Sequence, residues 1–153
     1  MSSHFCAGCF IVCSPEGQFY VLGATDERFK KDVKFPGGTK KKLSLESADE
    51  TLVREFTEET GLIPTVFRRF LVEEENDFRK FFYQITRIES DYDLTYSYHY
   101  DGSDGEKLEI HWWPIEEFNR ALYSAQRPVF NKILEALKND PKFQKNHQPL
   151  CGI

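Results

Sequence analysis

Apolar and polar positions recur along this chain with two different periods, and each change of period marks a new element. Phe5–Cys13 is almost continuously apolar and predicts a strand, which Gln18–Leu22 resumes as the second arm of a hairpin after the turn Ser14-Pro15-Glu16-Gly17. Asp26–Lys34 reads as a charged loop. Lys34-Phe35-Pro36-Gly37-Gly38 reads as a strand end running into a turn, because proline fixes one dihedral and glycine opens conformations closed to other residues. Leu52, Val53 and Phe56 then follow a helical period. Ser47 and Glu50 match a capping box at the start of that helix, Gly61 supplies its stop, and Pro64 prevents continuation.

Further on, Thr65–Glu73 and Phe78–Ile88 predict two strands joined by the acidic turn Glu73-Glu74-Glu75-Asn76-Asp77. Asp91–Gly105 is polar and tyrosine-rich and shows no clear period. Lys107–Trp113 predicts a strand ended by Pro114, and Ile115–Leu122 a short helix. Arg127–Lys138 predicts an amphipathic helix with Val129, Ile133, Leu134 and Leu137 inward. With no repeat, linker or low-complexity stretch, residues 1–153 read as one α/β domain.

Composition narrows the class. Charged residues at 29% and hydrophobic residues at 40% fit a folded globular chain rather than a disordered one. No apolar run reaches the roughly 18 residues of a membrane span, so no membrane partner is expected. The amino terminus lacks a basic segment followed by an apolar one, so cytoplasmic residence is the expectation. A net charge of −5 argues against general nucleic-acid binding, though not against a local basic patch. His4, Cys6, Cys9 and Cys13 invite a zinc reading, but on a strand Cys9 and Cys13 share a face and Cys6 points away. Buried thiols are therefore expected. His99 and His111 have no spacing that suggests a shared metal site.

The densest chemistry lies in Arg54-Glu55-Phe56-Thr57-Glu58-Glu59-Thr60-Gly61-Leu62. On a helix Glu55, Glu58 and Glu59 share one face and repel one another. A divalent cation held by oxygen ligands offsets such repulsion. The run resembles the core of the Nudix box, G-x5-E-x7-R-E-U-x-E-E-x-G-U, with U a bulky aliphatic residue. Glu46 satisfies the spacing to Arg54, and Phe35-Pro36-Gly37-Gly38 resembles the turn that opens the box. The departure is a two-residue insertion between Gly38 and Glu46, which puts the place of Glu46 in question.

The resemblance implies a Nudix α/β/α sandwich with a mixed sheet. It also implies Mg2+ or Mn2+, with Glu58 and Glu59 as principal ligands, Glu55 as ligand or base, and the Gly37 carbonyl as a further ligand. Arg54 would orient a neighbouring glutamate, with Glu46 in support or as a substrate-binding group. Glu106 or Glu109, before Trp112-Trp113-Pro114, would add an acidic group from outside the box. Lys40, with Lys41, Lys42, Lys30, Lys31 and Lys34, would hold a polyphosphate tail or an RNA 5′ end. Gln126 would read a purine edge. One of Phe81, Phe82, Tyr83, Tyr96, Tyr98 or Tyr100 would stack on a base.

The implied activity is hydrolysis of a nucleoside diphosphate linked to another group, with (deoxy)nucleoside triphosphates as the first expectation. Dinucleoside polyphosphates, ADP-sugars and RNA 5′ triphosphates stay open, as does a binding module that senses a nucleotide without cleaving it. Isoprenoid diphosphate isomerisation would need a nucleophilic cysteine that the spacing does not demand. Monomer and homodimer both remain open.

Overall fold

The computed structural model describes residues 3–28, 32–41, 44–89, 93–103 and 105–140. Among the described residues, eight strands and three α-helices follow one another: β1 (His4–Cys13), β2 (Phe19–Asp26), β3 (Val33–Lys34), β4 (Gly37–Thr39), α1 (Ala48–Thr60), β5 (Pro64–Glu75), β6 (Phe78–Ile88), β7 (Ser97–Asp101), β8 (Lys107–Pro114), α2 (Ile115–Ala121) and α3 (Arg127–Asn139). The sheet runs β5-β6-β1-β2-β8-β7, with β3 beside β2 and β4 beside β1. It is mixed, since β1 and β6 are parallel while β1–β2, β2–β8 and β5–β6 are antiparallel.

Alternation along β1 divides the core. Phe10 and Val12 join Phe56 and Leu62 under α1, and Cys6 joins Leu52 nearby. Ala7, Cys9 and Ile11 face the other way, onto Phe118 of α2 and Val129, Phe130 and Ile133 of α3. The result is the expected α/β/α sandwich. Cys6 and Cys9 are thus buried on opposite faces of the sheet. Cys6 Sγ donates to the Ala48 carbonyl at 3.2 Å, so the thiols do the work of small core residues.

Helix α1 is fixed at both ends. Ser47 Oγ accepts from the Glu50 N–H at 3.2 Å while Glu50 Oε1 accepts from the Ser47 N–H at 3.0 Å. Gly61 ends the helix at φ 73°, a left-handed angle that glycine adopts without strain.

Two departures from the sequence reading matter. Strand β2 continues through Asp26, because β8 pairs with it along Tyr20–Asp26. The tyrosine-rich stretch contains strand β7, an edge strand whose Tyr98 and Tyr100 pair with Ile110 and Leu108. None of the described helices is long and apolar enough to cross a membrane.

Candidate active site

The amphipathic turn of α1 decides where its carboxylates point. Phe56 is fully buried, which turns the flank bearing Glu55, Glu58 and Glu59 toward strand β4 and the glycine turn. Glu59 is only 3% exposed. Its Oε1 accepts the Gly37 N–H at 3.0 Å. Burial pushes its carboxyl up to about 8, with Glu106 and Glu55 adding to the rise while the Gly37 N–H and Lys34 oppose it. Burial also raises Glu55, partly offset by its bond to Arg54. Glu58 is half exposed.

Arg54 is the hub that orders this flank. Its Nε and Nη2 donate to the two oxygens of Glu46 at 2.7 and 2.9 Å, and Nη1 donates to Glu55 Oε1 at 2.7 Å. Nη2 also reaches the Thr39 carbonyl at 3.2 Å. A guanidinium presents five donors in a rigid plane, so one side chain can fasten two carboxylates and a strand. Thr51 Oγ1 completes the shell of Glu46 at 2.7 Å. Arg54 and Thr51 hold the Glu46 carboxyl down at about 2. The insertion before Glu46 therefore leaves its contact with Arg54 in place. Glu46 buttresses the site through Arg54 rather than facing outward as a ligand-binding group.

Two strands bring the remaining groups. Glu106 lies just before β8, with Oε2 3.8 Å from Lys34 Nζ, and its charge raises both Glu55 and Glu59. Tyr100 of β7 lies over the same cluster, its phenol raised by burial and by Glu59, Glu58, Glu55 and Glu106. Glu109 is different. It falls between Leu108 and Ile110, which are buried under α1, so it projects from the opposite face of the sheet. There its carboxylate, that of Glu27 and the His99 ring place ligand atoms within 4.8 Å of one another. His99 Nδ1 is 2.8 Å from Glu109 and 3.4 Å from Glu27, and Nε2 is 3.3 Å from Asp101. The ring's proton affinity is raised by these carboxylates, which is the behaviour of an ion-pair cluster. Glu109 is thereby removed as a partner of the α1 glutamates.

Four carboxylates, Glu55, Glu58, Glu59 and Glu106, thus face a glycine turn with Arg54 and Lys34 as counter-charges. Residues 3–133 match the family model of the NUDIX domain. The chain belongs to the Nudix family. As a Nudix hydrolase it acts on phosphorus-containing acid anhydrides.

Solved structures agree on the fold. A MutT from work on Aliivibrio salmonicida and Vibrio cholerae superposes with TM-score 0.64 at 21% identity, over 87% of this chain and 97% of that one. A MutT Nudix hydrolase of Burkholderia pseudomallei gives 0.60 at 14% identity, over 86% and 97%. The Nudix domain of Shewanella oneidensis NrtR, complexed with ADP ribose, gives 0.65 at 14% identity, over 90% and 89%. None of the curated proteins matches the chain by sequence.

Nudix enzymes use divalent metals, and the residues present here fit one. The cluster offers hard oxygen donors and more negative charge than its two cations balance, and burial already penalises Glu55 and Glu59 when ionised.

Two expected ligand-binding residues lie elsewhere. Gln126 is buried, and its Oε1 accepts the Phe35 N–H at 2.9 Å. The amide oxygen that a purine donor would need is already committed to holding the strand end that leads into the glycine turn. Lys40 lies beyond Glu46, beside His4, Arg69 and Arg79. Lys30, Lys31 and Lys42 lie outside the described residues. Sequence reasoning missed Thr51 as a support of Glu46 and Tyr100 as a neighbour of the carboxylates. The box spacing says nothing about Thr51, and only strand pairing places Tyr100.

The two glycines of the turn give a local test. A methyl group at Gly38 would overlap the Glu55 carboxylate, the movable end of a side chain. A methyl at Gly37 would overlap the backbone of Cys6 and Ala7. Gly38→Ala is therefore expected to lower turnover by about 10–100-fold with little loss of thermal stability. Gly37→Ala is expected to cost about 1–3 kcal/mol of stability. Urea unfolding and kinetics on the purified variants check both, and equal effects at the two positions would contradict this geometry.

Proposed function

We propose that this Nudix hydrolase cleaves a nucleoside diphosphate linked to another group, with (deoxy)nucleoside triphosphates as its first substrate class and pyrophosphate as a product. The observation that carries this reading is the cluster Glu55, Glu58, Glu59 and Glu106 against the Gly37-Gly38 turn, with Lys34 beside it. Glu55, Glu58, Glu59 and the Gly37 carbonyl would hold Mg2+ or Mn2+. When bound, such an ion neutralises phosphate charge and lowers the pKa of water.

The chain's own groups divide the remaining work. Glu55 has one oxygen fixed by Arg54 and the other toward Gly38, and burial raises its proton affinity. A carboxylate so placed is a better proton acceptor for an attacking water than an exposed one. Arg54 prevents it from swinging away. Glu106 stands opposite α1 as a second candidate base or ligand, and Lys34 offers positive charge to a phosphate tail.

A binding-only module is the alternative, and the ADP ribose complexed with the NrtR domain fits either reading, but the complete carboxylate cluster supports catalysis. A hydrolysis screen with Mg2+ and Mn2+ separates the two. Its panel holds nucleoside triphosphates including oxidised ones, dinucleoside polyphosphates, ADP-ribose and 5′-triphosphorylated RNA, with phosphate and pyrophosphate read separately. Pyrophosphate released from a nucleoside triphosphate is the expected result. Nucleotide binding without turnover of any substrate would overturn it in favour of the binding module.

A further inference from the structure

A concavity of about 400 Å3 opens at the amino end of α1 and includes none of the carboxylates Glu55, Glu58, Glu59 and Glu106. Lys40, Arg69 and Arg79 bring three cationic side chains to its wall, with His4, Phe81 and the cap residue Ser47 between them. These residues come from β1, the end of β4, the cap of α1, β5 and β6, so tertiary folding gathers the charge rather than a basic run.

The pocket is ordered by its own contacts. The Arg69 guanidinium lies 4.8 Å from the centroid of Phe81, and its Nε donates to the Tyr83 hydroxyl at 3.3 Å. Two acids pair with these arginines: Asp49 lies 3.6 Å from Arg69 and Glu74 lies 3.8 Å from Arg79. Both pairs are more than half exposed and long, so each contributes little and yields readily to a competing anion. Glu46 also borders the space, but both its oxygens are taken by Arg54 and Thr51. Among the described residues no carboxylate lies within ion-pair distance of Lys40.

His4 lies on the same wall. Thr51 gives its one hydroxyl proton to Glu46, so His4 Nε2 must donate to Thr51 Oγ1 across their 2.8 Å contact. Burial holds the ring's proton affinity down, and Lys40 and Arg69 lower it further, against opposing effects of Glu46 and the Ser47 backbone. The ring therefore sits against the cationic wall of the pocket.

We infer that this pocket is an anion subsite that takes a phosphate group. Guanidinium forks and a lysine ammonium are the donors that phosphate oxygens match, and the amino end of a helix adds a favourable dipole. Its residues are not those of the carboxylate cluster, so it stands or falls separately from the proposed hydrolysis.

Titration with sodium pyrophosphate in EDTA tests it, because without metal the carboxylate cluster repels the probe. Calorimetry gives the affinity, and NMR of the His4 ring gives the local response. Expected are saturable binding, a His4 resonance that moves toward the imidazolium position, and about tenfold or greater weakening in Arg79→Gln and in Lys40→Gln. Absence of binding, or undiminished binding in the Lys40→Gln/Arg79→Gln double variant, overturns the subsite. A 5′-hydroxyl RNA oligonucleotide then identifies the source. Competition with pyrophosphate assigns the subsite to a nucleic-acid backbone, and its absence assigns it to a free phosphate compound. Either result keeps the subsite.

Discussion

Glu59→Gln is expected to lower metal-dependent hydrolysis by about 10²–10⁴-fold while making the metal-free protein more stable. Glutamine keeps the shape of the side chain and can still accept the Gly37 N–H, so the glycine turn stays anchored. What disappears is a charge that burial disfavours. The folded state raises the Glu59 carboxyl from its ordinary 4.5 to about 8. Between those values the folded chain binds more protons than the unfolded one. Stability without metal therefore falls as pH rises through that window. Each tenfold change in proton affinity is worth about 1.4 kcal/mol, so the loss above the window is on the order of a few kcal/mol. A divalent cation reverses the trend, because it favours the ionised cluster and its uptake releases a proton. Thermal unfolding in EDTA and in Mg2+, from roughly pH 5 to 9, reads all of this. Wild type should lose stability with rising pH in EDTA and regain it with metal, while Glu59→Gln should show a much smaller decline, the part left to Glu55. A parallel decline in the two proteins would remove Glu59 as the buried acid, and full activity in both Glu59→Gln and Glu58→Gln would remove the site.

Arg54→Met carries the second large effect, and it falls on fold and chemistry together. Methionine fills similar space but leaves Glu46 and Glu55 without their shared counter-charge. Both carboxylates are largely covered, with side chains 14% and 15% exposed. Removing one partner of such a network costs about 3 kcal/mol or more, because the remaining charges stay desolvated. The loss should depend on pH. Arg54 and Thr51 hold the folded Glu46 carboxyl at about 2, below its ordinary 4.5. That contribution is present in full above 4.5 and disappears as pH falls toward 2. Urea unfolding should therefore separate wild type from Arg54→Met widely at neutral pH and much less at about pH 3. Arg54→Lys should not restore turnover, since an ammonium cannot make the paired bonds to Glu46 and also reach Glu55. An undiminished gap in acid would show that packing, not charge, supplies Arg54's contribution.

Particular residues show where the sequence was legible. Ser47, Glu50 and Gly61 act through contacts a few residues away, so the limits of α1 could be read before any tertiary contact was known. The box glutamates were equally visible, because helical spacing alone puts them on one flank. Strand β7 was not legible. It is an edge strand with one face open, and its polar, aromatic sequence carries little period until β8 supplies hydrogen bonds. Gln126 and Glu109 failed as expected partners for a related reason. A polar residue beside a loop or on a strand has two faces to choose from. For Gln126 the choice was made by an unpaired N–H at Phe35, and for Glu109 by the register of Leu108 and Ile110.

The sequence by itself determined the helix, its caps, the paired glycines and the spacing of Arg54, Glu55, Glu58 and Glu59, all of which depend on interactions within one or two turns of chain. Tertiary structure alone decided how deeply Glu59 is buried, that Glu106 rather than Glu109 joins it, that Glu46 reaches Arg54 despite the longer loop, and that Lys40 meets Arg69 and Arg79 in a separate pocket. Burial and charge pairing depend on which distant segments the sheet brings together. They set proton affinity and charge balance, and so decide which of many acidic and basic residues are poised for chemistry.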